Sequence, residues 1–505
     1  MGRQRLSPST WVNLNTIALA VLIGTTALVS LYVIVYSRAI LHSDSALKSV
    51  LATIALEEHR LVPYGWTFAN GDALIATPYT LLIPLQRIFG MSFATNATAT
   101  LFCFFAMLCA MYYLARTISP GPRVQAFTAC ALAACTLSAA NLEFIATQGA
   151  YSLYAALSLP LFALLLRPPT GIGKWSPAVL AFALATSNPV RAWVSVFAPA
   201  ILALAVTWLT SQRKKHAETQ DDLAVFAPLA ALGLGAIAGH LVYALIIAPN
   251  MQNFDAVARM APAPIEHMVF VARQLPRDWL TYFQVDGAWA SLSIAGRILQ
   301  MGVWLVSSSI VAAPAVALLS SRFPKELKYA AWLTYALLSS GLVPLVLLDG
   351  LYQGSMEIRY ATLGILTGLA MVPAVVYQLF GEQRRPLFAW ITGSLLVISV
   401  ATSWTWQFKT DPANPDVHGV SLQQRIALID VLREQHVGTA VATYWNSHVL
   451  SVLSSGTTMV SPVTYSSRLA PFVHHVPNEP PHGTAGAMEA VILNDAELSL
   501  DNGAA

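Results

Sequence analysis

Long apolar runs alternate with short polar segments over most of the chain. Roughly 20 apolar residues in helical form cross a bilayer core of about 30 Å, and about eleven runs approach that length. The run at 177–187 is short, and Ser187-Asn188-Pro189 separates it from the next, so these two are predicted to form a broken or tilted pair. The runs cover residues 12–37, 97–116, 124–140, 151–166, 177–187, 191–209, 223–248, 298–320, 329–348, 361–380 and 387–407.

The composition supports this interpretation. Of 505 residues, 56% are hydrophobic and 10% are charged, whereas soluble domains carry about 25% charged residues. Lys and Arg are scattered between apolar runs rather than gathered on one face, so no nucleic-acid partner is predicted. The 4 cysteines lie inside apolar runs, where cysteine behaves as a small hydrophobic residue, so neither a disulfide framework nor a cysteine metal site is predicted.

Basic residues mark one side of the membrane. With the N-terminus in the cytoplasm, half of the 28 Lys and Arg fall in short cytoplasmic segments, as the positive-inside rule requires. The acidic residues then lie mainly outside, where the long loops are. We predict a membrane domain at 1–408, with a first outer loop at 38–96 and a long outer loop at 249–297, followed by an exterior domain at 409–505.

The segment after residue 408 has mixed patterns. Helical spacing through Leu422, Ile426 and Ile429 predicts a helix at 421–435. Short β-favouring runs predict strands at 440–445, 449–453, 459–463 and 490–493. The predicted fold class is therefore an all-α polytopic membrane protein of about eleven transmembrane helices, with interfacial helices in the first outer loop and a small α/β exterior C-terminal domain.

Asp44 is the first candidate for chemistry. It begins an amphipathic pattern at 44–60, which predicts a helix lying in the membrane interface. A carboxylate at this position suits a helix cap, and it also suits a general base held at the mouth of an outward cavity. Glu57 and Glu58, at the far end of the same helix, are predicted to form its solvated face.

Aromatic and polar residues alternate further along the first outer loop. Tyr64 and Trp66 precede Asn70 and Asp72. Aromatic side chains near a membrane surface are usually anchors. Together with neighbouring amide and carboxylate groups they also suit sugar recognition, which the cluster as a whole favours.

Arg359 and Tyr360 open the tenth run from the outer side. An arginine there can extend its charged end to the membrane surface, and its planar guanidinium also suits a phosphate. Arg191 is a weaker second candidate for the same role. Glu143, in a short outer loop, is expected to face the same cavity. The motifs of nucleoside-triphosphate, dinucleotide and zinc-protease sites are absent from the sequence.

This combination resembles the GT-C superfamily of integral membrane glycosyltransferases. The resemblance covers nearly the whole chain as architecture. It is carried by an Asp-bearing first outer loop (Ser43-Asp44-Ser45), the 65–72 segment Gly-Trp-Thr-Phe-Ala-Asn-Gly-Asp, and Glu357-Ile358-Arg359-Tyr360. The adjacent Asp-Glu pair of the protein mannosyltransferases is missing from the first loop, so a protein acceptor is not implied.

The resemblance implies an inverting transfer of a sugar from a polyprenyl-phosphate donor to a glycan or lipid acceptor, at the outer face of a bacterial inner membrane with the C-terminal domain in the periplasm. Asp44 would be the base, and Arg359, Tyr360 and Arg191 would bind the donor phosphate. No cofactor or metal is implied, and a divalent metal stays an open alternative. The residues expected to bind sugar or acceptor are Tyr64, Trp66, Asn70, Asp72 and Glu143.

Two other classes stay open on the sequence. A transporter or flippase of a lipid-linked glycan would also have many spans and polar outer loops, although such carriers often show two related halves and this chain shows none. An O-antigen polymerase or ligase would have many spans and a large outer loop. The early Asp-bearing loop and the exterior C-terminal segment favour the glycosyltransferase.

Overall fold

The computed structural model describes residues 8–135, 137–212, 222–254, 260–283, 292–381, 384–406, 420–465, 469–471, 476–477 and 489–492. The boundary predicted at 408/409 lies outside these residues, as do parts of the long outer loop.

Within the described residues, every predicted apolar run is mainly helical, although the helix of run 124–140 ends at Ala134. The helices of the first half of the chain are α1 (Pro8–Leu31), α2 (Ser43–Glu57), α3 (Tyr79–Phe89), α4 (Phe93–Ile118), α5 (Val124–Ala134), α6 (Ala139–Asn141), α7 (Ala150–Leu166), α8 (Ser176–Ser187), α9 (Pro189–Ala192), α10 (Ala198–Gln212) and α11 (Asp222–Val242).

The second half continues in the same way and adds two helices near its end. They are α12 (Ile265–Tyr282), α13 (Ile294–Leu319), α14 (Lys325–Leu347), α15 (Thr362–Phe380), α16 (Arg385–Trp406), α17 (Leu422–Glu434) and α18 (Tyr444–Leu453).

The molecule is a helical, polytopic membrane protein. Eight helices of the described part, taken with the helical turns that adjoin them, are long and apolar enough to cross a bilayer. The α7 helix and the segment Gly171–Ser187 meet this criterion only together, and they are bent by 115° at their junction, which gives up to nine spans if the pair is one. The α5 helix has 11 residues and is short for a span.

The structure gives run 177–187 a different bent partner from the predicted one. The bent pair joins this segment to α7, which precedes it. At the other end, the side chain of Asn188 accepts a hydrogen bond from the backbone N–H of Arg191 and caps α9. The chain then continues through Pro189–Thr210 as a span of its own.

The amphipathic pattern at 44–60 predicted a helix at the membrane surface, but the α2 helix is packed inside the protein. Eleven of its 15 residues are buried, because its polar side chains find partners inside the protein. Ser49 donates to the side-chain oxygen of Asn96 at 3.0 Å, and Thr53 donates to Gln86 at 3.1 Å. In this loop α3 is the helix that exposes apolar side chains, with Ile88 and Phe89 largely open, as an interfacial helix would.

The strands form two small sheets. The four-stranded sheet has the order β5 (Leu469–Pro471), β4 (Met459–Tyr465), β3 (Thr439–Thr443) and β7 (Glu489–Ile492). The predicted strand at 449–453 was wrong, since these residues belong to α18. A run of five residues that are mostly apolar does not distinguish a strand from a buried helical turn.

The three-stranded sheet joins remote parts of the chain. Strand β1 (Trp66–Ala69) of the first loop pairs in parallel with β2 (Gln252–Phe254) and antiparallel with β6 (Val476–Pro477). The apolar side chains of α2, β1 and α18 also belong to one buried cluster. The first outer loop and the C-terminal segment therefore share a hydrophobic core.

Candidate functional site

A cavity of about 450 Å³ lies where the first loop, the membrane helices and the C-terminal segment meet. This volume is within the usual range for small-molecule sites. Its lining residues are Asp44, Leu47, Lys48, Leu74, Phe144, Gln148, Ala150, Tyr151, Arg191, Arg359, Tyr360, Tyr444 and Trp445. Four residues predicted from the sequence are thereby brought together: Asp44, Arg191, Arg359 and Tyr360.

Asp44 sits in the first turn of α2, but it does not cap the helix. The capping residue is His42, whose Nδ1 accepts a hydrogen bond from the backbone N–H of Asp44 at 3.1 Å. The carboxylate instead accepts a hydrogen bond from the Tyr444 hydroxyl at 2.6 Å. The cap interpretation of Asp44 was therefore wrong, and its side chain, 37% exposed, lines the cavity.

Arg359 lies in the helical turn Ser355–Ala361 that leads into α15. Its guanidinium stands 4.8 Å from the ring centre of Phe144 and pairs with the nearly buried carboxylate of Glu357 at 3.3 Å. The aromatic face and the carboxylate fix the orientation of the planar guanidinium. Its side chain keeps 26% of its surface exposed, so it can contact an anion in the cavity.

Arg191 is held by a carboxylate and two rings. Asp72 accepts a hydrogen bond from its guanidinium at 3.1 Å. The guanidinium also lies 4.5 Å from the ring centre of Tyr154 and 5.3 Å from that of Tyr151. Asp72 accepts from the backbone N–H of Leu74 as well. It therefore ties the first loop to Arg191 instead of lining the cavity itself.

Glu143 is not among the residues that line the cavity, but it contacts Gln148, which is. Its carboxylate accepts a hydrogen bond from the side chain of Gln148 at 2.8 Å and lies 3.8 Å from Nε2 of His42. The opposite ring nitrogen of His42 is 3.5 Å from the Asp44 carboxylate. One imidazole thus lies between the two carboxylates.

The three other predicted sugar-binding residues, like Asp72 and Glu143, are not among the residues that line the cavity. Trp66 is fully buried and its ring packs near that of His448. Asn70 forms a turn with positive φ, and its carbonyl accepts a hydrogen bond from Asn188. Tyr64 is exposed, and its hydroxyl donates to Asn250.

The two glutamates at the end of α2 differ in their surroundings. Glu57 is exposed, as expected of a solvated face. Glu58 accepts hydrogen bonds from the backbone N–H groups of Tyr64 and Gly65, at 2.7 and 2.8 Å. It therefore fixes the turn that leads into β1.

Sequence reasoning missed Lys48, which is 3% exposed. Its ammonium donates to the backbone carbonyls of Asp44 at 2.7 Å and of Gln148 at 3.3 Å. Burial lowers the pKa of Lys48 to about 8, while the charge of Asp44 acts in the opposite direction. The signal available in the sequence was a lysine at the i+4 position from Asp44 within an apolar stretch.

Sequence reasoning also missed Tyr444 and Trp445, the first residues of α18. The Trp445 ring lies 5.1 Å from that of His42 in an edge-to-face arrangement. An isolated Tyr-Trp pair far along the chain carries no signal that it packs beside Asp44.

The charges of the lining residues favour an anionic ligand. Among the described residues that line the cavity, Lys48, Arg191 and Arg359 are cationic and Asp44 is acidic. Two of the cations have a carboxylate partner behind them, at Asp72 and Glu357. Within the described part of the chain, no group of three or more His, Cys, Asp or Glu side chains could hold a metal ion.

Comparison with protein-family models finds no match for this chain. Comparison with curated proteins also finds no match.

Proposed function

We propose that the protein is an inverting, GT-C-type glycosyltransferase that moves a sugar from a polyprenyl-phosphate donor to a glycan or lipid acceptor. The observation that carries the proposal is that Asp44 and Arg359 line one cavity. A carboxylate and a guanidinium at one site suit a reaction in which a hydroxyl loses a proton while a phosphate leaves.

The proposed reaction needs one base and one anion site. Asp44 accepts the proton of the acceptor hydroxyl, whose oxygen attacks the anomeric carbon of the donor. The bond between that carbon and the phosphate oxygen breaks, and polyprenyl phosphate leaves with the bonding electrons. Arg359, Tyr360 and Arg191 stabilise the charge that develops on the phosphate. Attack opposite the leaving group inverts the anomeric centre.

The aromatic residues of the cavity support a sugar ligand. Phe144, Tyr151, Tyr360 and Trp445 line it, and aromatic rings can pack against the apolar face of a sugar. In this proposal Asp72 acts by orienting Arg191, and Glu143 acts through His42 and Gln148. Trp66, Asn70 and Tyr64 then shape the first loop and do not contact the sugar.

The proposed orientation places this cavity at the outer face of the inner membrane. If α5 is a short span and the two arms of the bent pair each cross the bilayer, the count reaches the predicted eleven, an odd number that places the N-terminus and the C-terminus on opposite sides. This arrangement agrees with the distribution of basic residues.

The experiment replaces the base. The full-length protein is reconstituted with a panel of polyprenyl-phosphate sugars and lipid-linked glycan acceptors, and released polyprenyl phosphate is measured. Asp44→Asn should reduce transfer by about 10²–10⁴-fold, the usual contribution of a general base, while donor binding is retained. Glu57→Gln is the matched control, since Glu57 is an exposed carboxylate on the same helix.

Two outcomes would contradict the proposal. Full transfer by Asp44→Asn would remove Asp44 as the base. Movement of a lipid-linked glycan across the vesicle membrane by the wild-type protein, without any transfer product, would favour the transporter instead.

A further inference from the structure

The start of α18 is fixed directly onto the start of α2. The hydroxyl of Ser43 donates to the backbone carbonyl of Tyr444 at 2.6 Å, and both residues are buried. Ser43 is the residue immediately before Asp44. The backbone of Tyr444 is therefore fixed close to Asp44, the candidate base.

The side chain of Tyr444 makes a second contact across the same junction. Its hydroxyl donates to one carboxylate oxygen of Asp44 at 2.6 Å, and the side chain is only 7% exposed. The other oxygen of Asp44 lies 3.5 Å from Nδ1 of His42. The hydrogen bond from Tyr444 restricts the rotation of the carboxylate about its side-chain bonds.

Burial, followed by the negative charge of Asp44 and the hydrogen bond to it, raises the pKa of Tyr444 well above its ordinary value. The tyrosine therefore stays protonated over the working range of a protein and remains a donor. A donor on a carboxylate stabilises its ionised form, which is the form that can accept a proton.

We infer that Tyr444 is a positioning residue of the proposed transfer reaction, which orients the Asp44 carboxylate and keeps it ionised. The C-terminal segment is then a part of the site, because it supplies the group that holds the base. This inference rests on the proposed role of Asp44.

Tyr444→Phe removes the hydroxyl and keeps the ring and the backbone contact with Ser43. We expect the kcat of transfer to fall about tenfold to a hundredfold, the scale of a lost hydrogen bond to a charged group, with the donor KM unchanged. The acid limb of the pH profile should move to higher pH, because the carboxylate protonates more readily without its donor.

Tyr329→Phe is the matched control. The Tyr329 ring is also fully buried, and its hydroxyl makes no hydrogen bond within the described part of the chain. This variant should keep both the kcat and the pH profile of the wild-type protein.

A double-mutant cycle on the thermal unfolding midpoint tests the contact independently of any reaction. Tyr444→Phe should lower the midpoint in the wild-type background and have a smaller effect in the Asp44→Ala background, where the acceptor is gone. Equal effects in both backgrounds would overturn the inference.

The experiments distinguish a failure of this inference from a failure of the proposed function. If Asp44→Asn abolishes transfer while Tyr444→Phe keeps a normal kcat and pH profile, the positioning role is wrong and the base remains. The positioning role is also wrong if Tyr444→Phe lowers kcat without shifting the pH profile and lowers the unfolding midpoint only as much as Tyr329→Phe does. If Asp44→Asn transfers sugar normally, the proposed function itself fails.

Discussion

At the scale of single residues, the site contains cations that are fixed before any ligand arrives. Arg191 and Arg359 each contact a carboxylate and an aromatic ring. Little side-chain freedom is left to lose when an anion binds, so the ordering cost of binding is small.

The first prediction concerns the guanidinium of Arg359. In Arg359→Ala, transfer should fall about 10²–10³-fold, the usual cost of removing one group that stabilises charge in a transition state, and donor KM should rise while acceptor KM does not. Arg359→Lys should recover only part of the loss, because an ammonium lacks the planar fork. Steady-state kinetics with donor and acceptor varied separately measure both.

Arg433→Ala is the control for that comparison, because Arg433 is exposed and pairs with the exposed carboxylate of Asp430 on the same helix. Unchanged donor kinetics in Arg359→Ala would exclude the phosphate role.

The second prediction concerns Lys48 and pH. Since burial lowers the pKa of Lys48 to about 8, this side chain loses its charge as the pH rises through 8, and the affinity of the cavity for undecaprenyl phosphate should fall about tenfold. The Lys48→Met variant should bind undecaprenyl phosphate weakly at pH 7, and its affinity should not fall further as the pH rises through 8. Binding measured from pH 6.5 to 9.5 tests both, and an equal step in both proteins would assign it to another group.

Lys48 affects stability in the opposite direction. The unfolded chain keeps the lysine proton up to its ordinary pKa of 10.5, so between about pH 8 and 10.5 the unfolded state binds more protons than the folded one. Stability therefore rises with pH across that window as far as Lys48 is concerned. The Lys48→Met variant should lack this contribution.

At the scale of elements, two helices approach each other through glycine. A Cβ at Gly235 of α11 would overlap the backbone carbonyl oxygen of Ala178 in α8. A Cβ at Gly239 would lie 2.6 Å from the carbonyl oxygen of Phe182. Small residues allow helix backbones to pack closely in membranes, and here they hold α8, one arm of the bent pair, against α11.

The third prediction follows from this packing. Gly235→Ala should destabilise the protein by about 1–3 kcal/mol, the cost of overpacking, because backbone atoms must move to make room. Gly233→Ala on the same helix is the control, since its Cβ would meet nothing within 4 Å, and it should cause no loss. Thermal unfolding in detergent measures the difference, and equal midpoints for the two variants would refute the tight contact.

At this scale the sequence predicts where most helices lie along the chain, but it does not predict how they pack against each other. The helix at 421–435 is confirmed, since Leu422–Glu434 is helical and Ser421 forms a capping box with Gln424. The environment of α2 could not be predicted, because Asn96 and Gln86, which satisfy its polar side chains, belong to other helices. Local patterns show which side of a helix is apolar. They do not show whether another helix supplies hydrogen-bond partners for its polar side chains.

The candidate site was predictable only in part for the same reason. Asp44, Arg191, Arg359 and Tyr360 stand out because charged or polar groups are rare next to apolar runs. Tyr444 and Trp445 do not stand out, since no local pattern records contacts between residues 400 positions apart.

At the scale of the whole molecule, the fourth prediction concerns orientation. A reporter fused after Lys409 should show an outer location, because the basic segments between the spans mark the opposite side as cytoplasmic. A fusion after Arg322, between α13 and α14, should show a cytoplasmic location and serves as the control. Paired alkaline phosphatase and green fluorescent protein fusions distinguish the two, and a cytoplasmic signal at Lys409 would invert the proposed topology.

The contact between α2 and α18 has a consequence for biosynthesis. A ribosome adds about 5–20 residues per second, so α2 emerges tens of seconds before Tyr444 is made. During that interval the nascent chain has no complete cavity, and a polypeptide released early cannot form one. Contacts of such long sequence separation also form slowly, which makes closure of this junction a late step in maturation after the helices have entered the membrane.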